Sequence, residues 1–146
     1  MPTLPLIFVL NGPNLNLLGQ REPAVYGSDT LDDIAATMSS RAEELGVTLD
    51  IRQSNHVGHL IDWLHEAHAA KAKAVIFNPG GYTHSSVALR DAVAAIAVPV
   101  IEVHLSNPQA RETFRRTSMI AGVARGSIAG FGALSYVLAL DAAARL

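Results

Sequence analysis

The chain contains no cysteine and few charged side chains for its 146 residues. Without cysteine, a disulfide framework, a thiolate nucleophile and a thiolate metal site are all excluded. Charged residues make up 16% of the chain, against about 25% in typical globular domains, while 49% of the residues are hydrophobic. An isolated monomer of this size would have little charge to cover its surface, so we expect contacts between subunits to hide part of it.

Basic residues do not form a stripe that would suit nucleic acid. The net charge is −2, and the nine arginines and two lysines are scattered along the chain except for Arg111, Arg115 and Arg116. Proteins that bind nucleic acid usually present clustered positive charge. We therefore expect no nucleic-acid partner.

Long apolar runs are also missing. The apolar segment at residues 4–10 has no basic leader and no small-residue cleavage site, which argues against a secretory signal. The uncharged segment at residues 126–140 is shorter than the roughly 20 residues that a membrane span needs, and glycine and serine interrupt it. We expect a cytoplasmic protein with no membrane partner.

Short apolar runs alternate with segments of helical periodicity. We predict four strands at residues 4–10, 47–51, 74–77 and 100–104 and a fifth within 122–129. Helices are predicted after Thr30 and Asn55 and at residues 85–96, 108–116 and 131–145. Regular alternation is typical of an α/β fold with a five-stranded parallel sheet and helices on both faces, flavodoxin-like in size. No repeat or linker is visible, so residues 1–146 are expected to form one domain.

Residues 11–27 (NGPNLNLLGQREPAVYG) follow the first strand and have no period. A loop of this length in a compact domain is usually functional or disordered. Three asparagines, an Arg-Glu pair and a tyrosine suit disorder poorly. We interpret this segment as a lid that carries chemistry.

Polar residues also follow the third and fourth predicted strands, at residues 78–84 and 102–107. In parallel sheets, ligands bind beyond the carboxyl ends of the strands. Glu102 and His104 are two residues apart in one strand, so they point to the same face, about 6.6 Å apart along the strand. The carboxylate would orient the imidazole, or it would only satisfy a backbone group at the strand end.

Other candidates admit two interpretations each. Arg111 and Arg115, four residues apart, share a face of the predicted helix and suit an anionic or polyhydroxy ligand, or form a solvated basic face. His84 lies in a turn at a helix start, either as a ligand-binding residue or as a capping or surface residue. The remaining polar aromatic and amide candidates are assigned to packing or the surface: Tyr82, Asn55, His56, His59, His65 and His68.

Tyr26 and Arg21 are the notable pair within the lid. A tyrosine that acts as a base near neutral pH needs a neighbouring cation to stabilise its phenolate. Arg21 would supply that charge. Alternatively, Tyr26 closes the loop and Arg21 pairs with Glu22.

Three motifs in register resemble the type II 3-dehydroquinate dehydratases. They are NGPNLNLLGQREPAVYG at residues 11–27, FNPGGYTHSSVALRDA at 77–92 and VPVIEVHLSNPQARETFRR at 98–116. The resemblance covers nearly the whole chain. It implies a flavodoxin-like α/β fold, a dodecamer made of four trimers, and a reaction without metal or cofactor in the shikimate route to aromatic amino acids.

The resemblance also implies a mechanism, in which 3-dehydroquinate loses water by anti elimination through an enolate to give 3-dehydroshikimate. Tyr26 would take the proton from the carbon beside the ketone, and Arg21 would stabilise the tyrosine anion. Asn14 would hold a water that stabilises the enolate oxygen.

The remaining roles follow from the same resemblance. His104, oriented by Glu102 beside Asn78, would protonate the departing hydroxyl. Leu105 and Ser106 would bind the substrate carboxylate, and His84 and Arg115 would bind the ring hydroxyls. Arg111 would help to close the lid. Asp91 would reach the active site of a neighbouring subunit.

The chain departs from the family pattern at a few positions. Gly81 stands where alanine is usual, Ser85 where threonine is usual, and Val57 where glutamate is common. Pro108-Gln109 replaces a pair such as Val-His, which puts the start of the Arg111 helix and lid closure in question. No departure removes a catalytic group.

Four other chemistries were weighed. A phospho-acceptor domain needs aspartates at the ends of the early strands, but this chain has Asn11 at the end of the first strand. A flavin carrier needs a phosphate-binding loop after that strand, and the lid does not resemble one. Imine chemistry needs a lysine in the pocket, but both lysines, Lys71 and Lys73, are placed at the opposite end of the sheet. A zinc site made of His84, Glu102 and His104 stays open.

Overall fold

Five parallel strands form the centre of the structure, a computed structural model that describes residues 3–20 and 22–146. The strands are β1 (Leu6–Asn11), β2 (Thr48–Gln53), β3 (Ala74–Asn78), β4 (Val100–His104) and β5 (Gly126–Ala129). Their order in the sheet is β2-β1-β3-β4-β5. The predicted five-stranded parallel sheet is therefore confirmed, and the order reverses next to β1, where such sheets bind ligands.

Among the described residues, five α-helices lie between or after the strands, four of them where the sequence pattern predicts a helix. They are α1 (Pro23–Tyr26), α2 (Leu31–Leu45), α3 (Val57–Ala69), α4 (Val87–Ala95) and α5 (Leu134–Ala144). At the start of α2, Thr30 and Asp33 form a reciprocal capping box, and these hydrogen bonds to Thr30 lower the pKa of Asp33. No helix in the described ranges is long and apolar enough to cross a bilayer.

Alternating side chains of each buried strand supply two separate cores. In β1, Ile7 and Val9 pack with α2 and α5 on one face of the sheet. Phe8 and Leu10 pack with α3 and α4 on the other face. Because both faces of the strand are covered, its sequence is uniformly apolar, as expected for a parallel sheet with helices on both sides.

The predicted helix at residues 108–116 is wrong. Two short 3-10 turns, Pro108–Ala110 and Thr113–Arg116, stand in its place, and Arg111 between them is extended. Asn107 Oδ1 accepts the N–H of Gln109, so the first turn is satisfied locally. The segment has no apolar stripe that a longer helix would bury, since its one large apolar side chain, Phe114, is exposed.

The lid is also more structured than its lack of period suggests. Asn11 is the last residue of β1, and a 3-10 turn covers Leu15–Leu17. Leu15 and Leu18 are buried in the core on the α2 side of the sheet. In α1 no side chain is fully buried, but Tyr26 packs partly buried against the same core.

Candidate active site

A cavity of about 140 Å³ opens at the carboxyl edge of the sheet. Its walls come from the lid and from the loops that follow β3 and β4. The residues lining it are Pro13, Asn14, Leu15, Tyr26, Asn78, Gly80, Gly81, His84, His104, Leu105, Ser106, Pro108, Arg111 and Arg115. The structure thus brings together most of the side chains that the sequence singled out.

Glu102 and His104 form a hydrogen-bonded pair at the end of β4. A Glu102 carboxylate oxygen lies 2.5 Å from His104 Nε2, and Glu102 is only 2% exposed. The Ser118 hydroxyl also lies 2.8 and 3.0 Å from the two oxygens of this carboxylate. Glu102 therefore binds side chains rather than a backbone group, and it holds one ring nitrogen so that Nδ1 is left for a ligand.

Asn78, at the end of β3, is held by a buried tyrosine that the sequence analysis did not identify. Tyr136 of α5 is fully buried, and its hydroxyl donates to Asn11 Oδ1 at 2.7 Å. The Asn78 amide donates to that hydroxyl at 2.9 Å and accepts the N–H of Gly80 at 3.1 Å. Burial raises the pKa of Tyr136, so the hydroxyl stays neutral and the amide orientation of Asn78 is fixed.

Two glycines allow the lid base and the loop after β3 to touch. A Cβ on Gly12 would lie 2.5 Å from the carbonyl oxygen of Pro79. Gly80 has φ +62°, and a Cβ there would lie 3.1 Å from the carbonyl oxygen of Pro13. The Gly12 N–H donates to the Asn78 carbonyl at 2.8 Å, so the two loops have a fixed relative position.

Asn14 is positioned by a residue that we had assigned to packing. Its backbone is left-handed, with φ 68°, and its N–H donates to Asn55 Oδ1 at 3.0 Å. The Tyr82 hydroxyl donates to the Asn55 carbonyl at 2.7 Å. Asn55 lies just past β2, so the rule already applied to the ends of β1, β3 and β4 would have found it.

His84 lies in the 3-10 turn Gly80–His84 that precedes α4. Its Nδ1 donates to the Thr117 carbonyl at 2.8 Å, which leaves Nε2 for a ligand. Ser86, rather than His84, caps α4 by accepting the Leu89 N–H. The capping interpretation of His84 is therefore wrong.

Arginines close the cavity opposite the strand ends. Arg115 Nε donates to the Glu112 carboxylate at 2.5 Å. The pKa of Glu112 is lowered by a hydrogen bond from the Glu112 backbone and by the one from Arg115. Arg111 Nη1 donates to Ser106 Oγ at 3.2 Å, and its guanidinium carbon is 4.9 Å from the Tyr26 ring centre. Both arginines line the cavity although they share no helix.

Among the described site residues that the sequence predicts, Asp91 and Glu102 do not line the cavity, although Glu102 contacts it through His104. Asp91 lies on α4 with 63% of its side chain exposed, and it pairs with Arg90 at 3.0 Å. Arg21 lies outside the described residues. Within residues 3–20 and 22–146, no group of three or more histidine, aspartate or glutamate side chains is arranged to hold a metal ion.

The fold and the cavity define a class of protein: a parallel α/β enzyme with a carboxylate–imidazole pair for acid–base chemistry at the ligand-binding edge of its sheet. Residues 5–144 match the family model described as Dehydroquinase class II. The chain belongs to this family, the class II dehydroquinases.

Relatives with known names support this assignment. The chain is 60% identical over 136 residues to a 3-dehydroquinate dehydratase of Rhizobium etli, covering 93% of each. It is 56% identical over 140 residues to one of Phenylobacterium zucineum, covering 96% of each. The crystal structure of the type II dehydroquinase of Butyrivibrio crossotus aligns with a TM-score of 0.95 at 38% identity, over 97% of this chain and 99% of that one.

Proposed function

We propose that the chain dehydrates 3-dehydroquinate to 3-dehydroshikimate, in the shikimate route to aromatic amino acids, by an anti elimination through an enolate. The observation that carries this proposal is that His104, hydrogen-bonded to Glu102, lines the same polar cavity as Tyr26. An elimination of water needs a base for carbon and an acid for the departing oxygen, and this cavity has a candidate for each.

Tyr26 is the base in this proposal. It takes the proton from the carbon beside the ketone, and the electrons of that C–H bond form the enolate. A phenolate needs cationic support, and the Arg111 guanidinium lies over the Tyr26 ring, while Arg21 is assigned the same task. Asn14, held by Asn55, binds the water that stabilises the enolate oxygen.

His104 is the acid. Its Nδ1 gives a proton to the departing hydroxyl, the C–O bond breaks, and water leaves. Glu102 stabilises the imidazolium that carries this proton. Asn78 lies beside the pair with its amide locked by Tyr136.

The remaining cavity residues bind the substrate. The N–H groups of Leu105 and Ser106 and the Ser106 hydroxyl bind the carboxylate. Because Ser106 Oγ accepts its hydrogen bond from Arg111, the hydroxyl proton is available for a ligand. His84 Nε2 and Arg115 bind the ring hydroxyls.

The assay uses the pure chain with 3-dehydroquinate and follows the ultraviolet absorbance of the conjugated enone product. Product should form at equal rates with and without a chelator, and borohydride with substrate should leave no covalent adduct. His65→Asn, an exposed position on α3, is the control for His104→Asn. No product between pH 6 and 9 would contradict the proposal, a chelator-sensitive rate would favour the zinc site, and borohydride inactivation would favour an imine.

The proposal extends to the assembly, a dodecamer of four trimers in which Asp91 completes a neighbouring site. Asp91 is exposed and does not line this chain's cavity, which supports that role. Each protomer is proposed to act as a single catalytic domain, and the cytoplasmic location stays a prediction.

Co-expression of two variants tests the shared site. Asp91→Asn and Tyr26→Phe should each be nearly inactive alone. In randomly mixed trimers, about a quarter of the sites would combine an intact Tyr26 with an intact neighbouring Asp91, so activity should return to about a quarter of wild type. Mixed assemblies as inactive as their parents would contradict the shared site.

A further inference from the structure

Ser118 contacts the acid–base pair, although no motif of the sequence pointed to it. It lies between the turn Thr113–Arg116 and β5, and its Oγ is within 3.0 Å of both oxygens of the Glu102 carboxylate. Its side chain does not line the cavity. Any effect of Ser118 on the reaction must therefore pass through Glu102.

Two backbone amides fix the direction of the Ser118 hydroxyl proton. The N–H groups of Ile120 and Ala121 both donate to Oγ, at 3.1 and 2.9 Å. A serine hydroxyl has two lone pairs and a single proton, so both lone pairs are occupied and the proton points to Glu102. The two donated bonds also polarise the hydroxyl and strengthen the bond that it donates.

The hydroxyl of Ser118 donates a hydrogen bond that fixes the orientation of the Glu102 carboxyl group. Glu102 is nearly fully buried, so this bond replaces part of its lost hydration. In the register of the sheet, its neighbours on β3 and β5 are Phe77 and Ser127, neither of which is titratable. His104 is the one ionisable side chain bonded to Glu102 in the described part of the chain.

We infer that Ser118 is a positioning residue for the dehydration. It holds the Glu102 carboxylate in a fixed orientation. The proton on His104 Nε2 then stays on the ring, and Nδ1 faces the cavity. The inference rests on the proposed function for its rate effect, but the state of the imidazole is measurable without turnover.

The first test compares Ser118→Ala, Ser118→Cys and Ser118→Thr with wild type. Ser118→Ala should lower kcat/KM by about tenfold or more, because a hydrogen bond to a charge is lost. Ser118→Cys, with a weak donor of similar size, should lower kcat/KM by less, and Ser118→Thr should restore the wild-type value. Ser39→Ala, an exposed position on α2, is the control.

A double-mutant cycle separates this role from a merely structural role in the turn. If Ser118 acts through Glu102, Ser118→Ala should cost little in a Glu102→Gln background. An equal loss in both backgrounds would overturn the inference. So would a wild-type kcat/KM in the cysteine variant, and this outcome applies even where Ser118→Ala fails to fold.

The second test reads the imidazole directly. Nitrogen chemical shifts of His104, assigned by comparison with His104→Asn, should show the proton on Nε2 in the neutral wild-type ring and a mixture of tautomers in Ser118→Ala. Identical tautomer ratios would overturn the inference whether or not the chain dehydrates 3-dehydroquinate. A wild-type enzyme that is inactive but shows the expected shifts would contradict the proposed function alone.

Discussion

The cavity has two sides that are built differently. The strand-end group, Asn78, Glu102 and His104, lies on the carboxyl ends of β3 and β4, and a buried or partly buried side chain holds each member. The second group joins Asn14 and Tyr26 of the lid to Arg111, which follows β4. Asn14 is held through its backbone, and the Arg111 guanidinium lies over the Tyr26 ring. The acid can be held rigidly in place before the substrate binds. The base lies on a segment that must open to let the substrate enter and then close over it.

Removing the base hydroxyl should have the largest effect. Tyr26→Phe keeps the ring that contacts Arg111 but lacks the group that takes the proton. We expect kcat to fall by about 1,000-fold or more, while calorimetry still detects binding of 3-dehydroquinate. If the variant retains more than a tenth of wild-type kcat, Tyr26 is not the base.

Neutralising the buried carboxylate should have the next largest effect. Glu102→Gln keeps the shape of the side chain but cannot stabilise the His104 imidazolium, so kcat should fall by about 100-fold. KM should change little in this variant, because Glu102 does not line the cavity. A rise in KM with constant kcat would instead assign Glu102 to binding. Glu43→Gln, at an exposed position on α2, is the matched control.

Weakening the lid should change binding more than chemistry. Arg111→Ala removes the guanidinium that contacts Ser106 and the Tyr26 ring, and we expect KM to rise by about tenfold. Steady-state kinetics beside Arg145→Ala, an exposed arginine near the carboxyl end, would measure this. A loss confined to kcat would show that Arg111 supports the Tyr26 anion more than closure.

Removing the buried hydroxyl of Tyr136 should have the smallest effect on rate and a clear effect on stability. Tyr136→Phe removes the hydroxyl that bonds Asn11 Oδ1 and the Asn78 amide nitrogen, which should lower the free energy of unfolding by about 1–3 kcal/mol. Because the Gly80 N–H still holds Asn78, kcat should fall by only about tenfold. Urea unfolding and kinetics of the same preparation would measure both, and unchanged stability would refute the network.

Much of the fold was readable because strand and helix signals are local. The bounds of β4 and the cap of α2 by Thr30 were predicted as the structure has them. The prediction of a helix over residues 108–116 was wrong. The spacing of Arg111 and Arg115 fitted one face of a helix, but the segment has no apolar stripe to stabilise one.

The site was predicted less evenly. Glu102 and His104 were found from their spacing, since residues two apart in a strand share a face. Tyr136 and Ser118 were missed because their partners are 58 and 16 residues away in the chain. Contacts of that kind have no period and no motif.

The sequence alone determined the alternation of strands and helices and the motifs that resemble the type II 3-dehydroquinate dehydratases. Both depend only on the order and identity of neighbouring residues. Only the tertiary structure decided which polar groups satisfy one another: Tyr136 at Asn78, Ser118 at Glu102 and Arg111 at Tyr26. The physical reason is that burial removes water from a polar group and forces it to find a partner nearby in space.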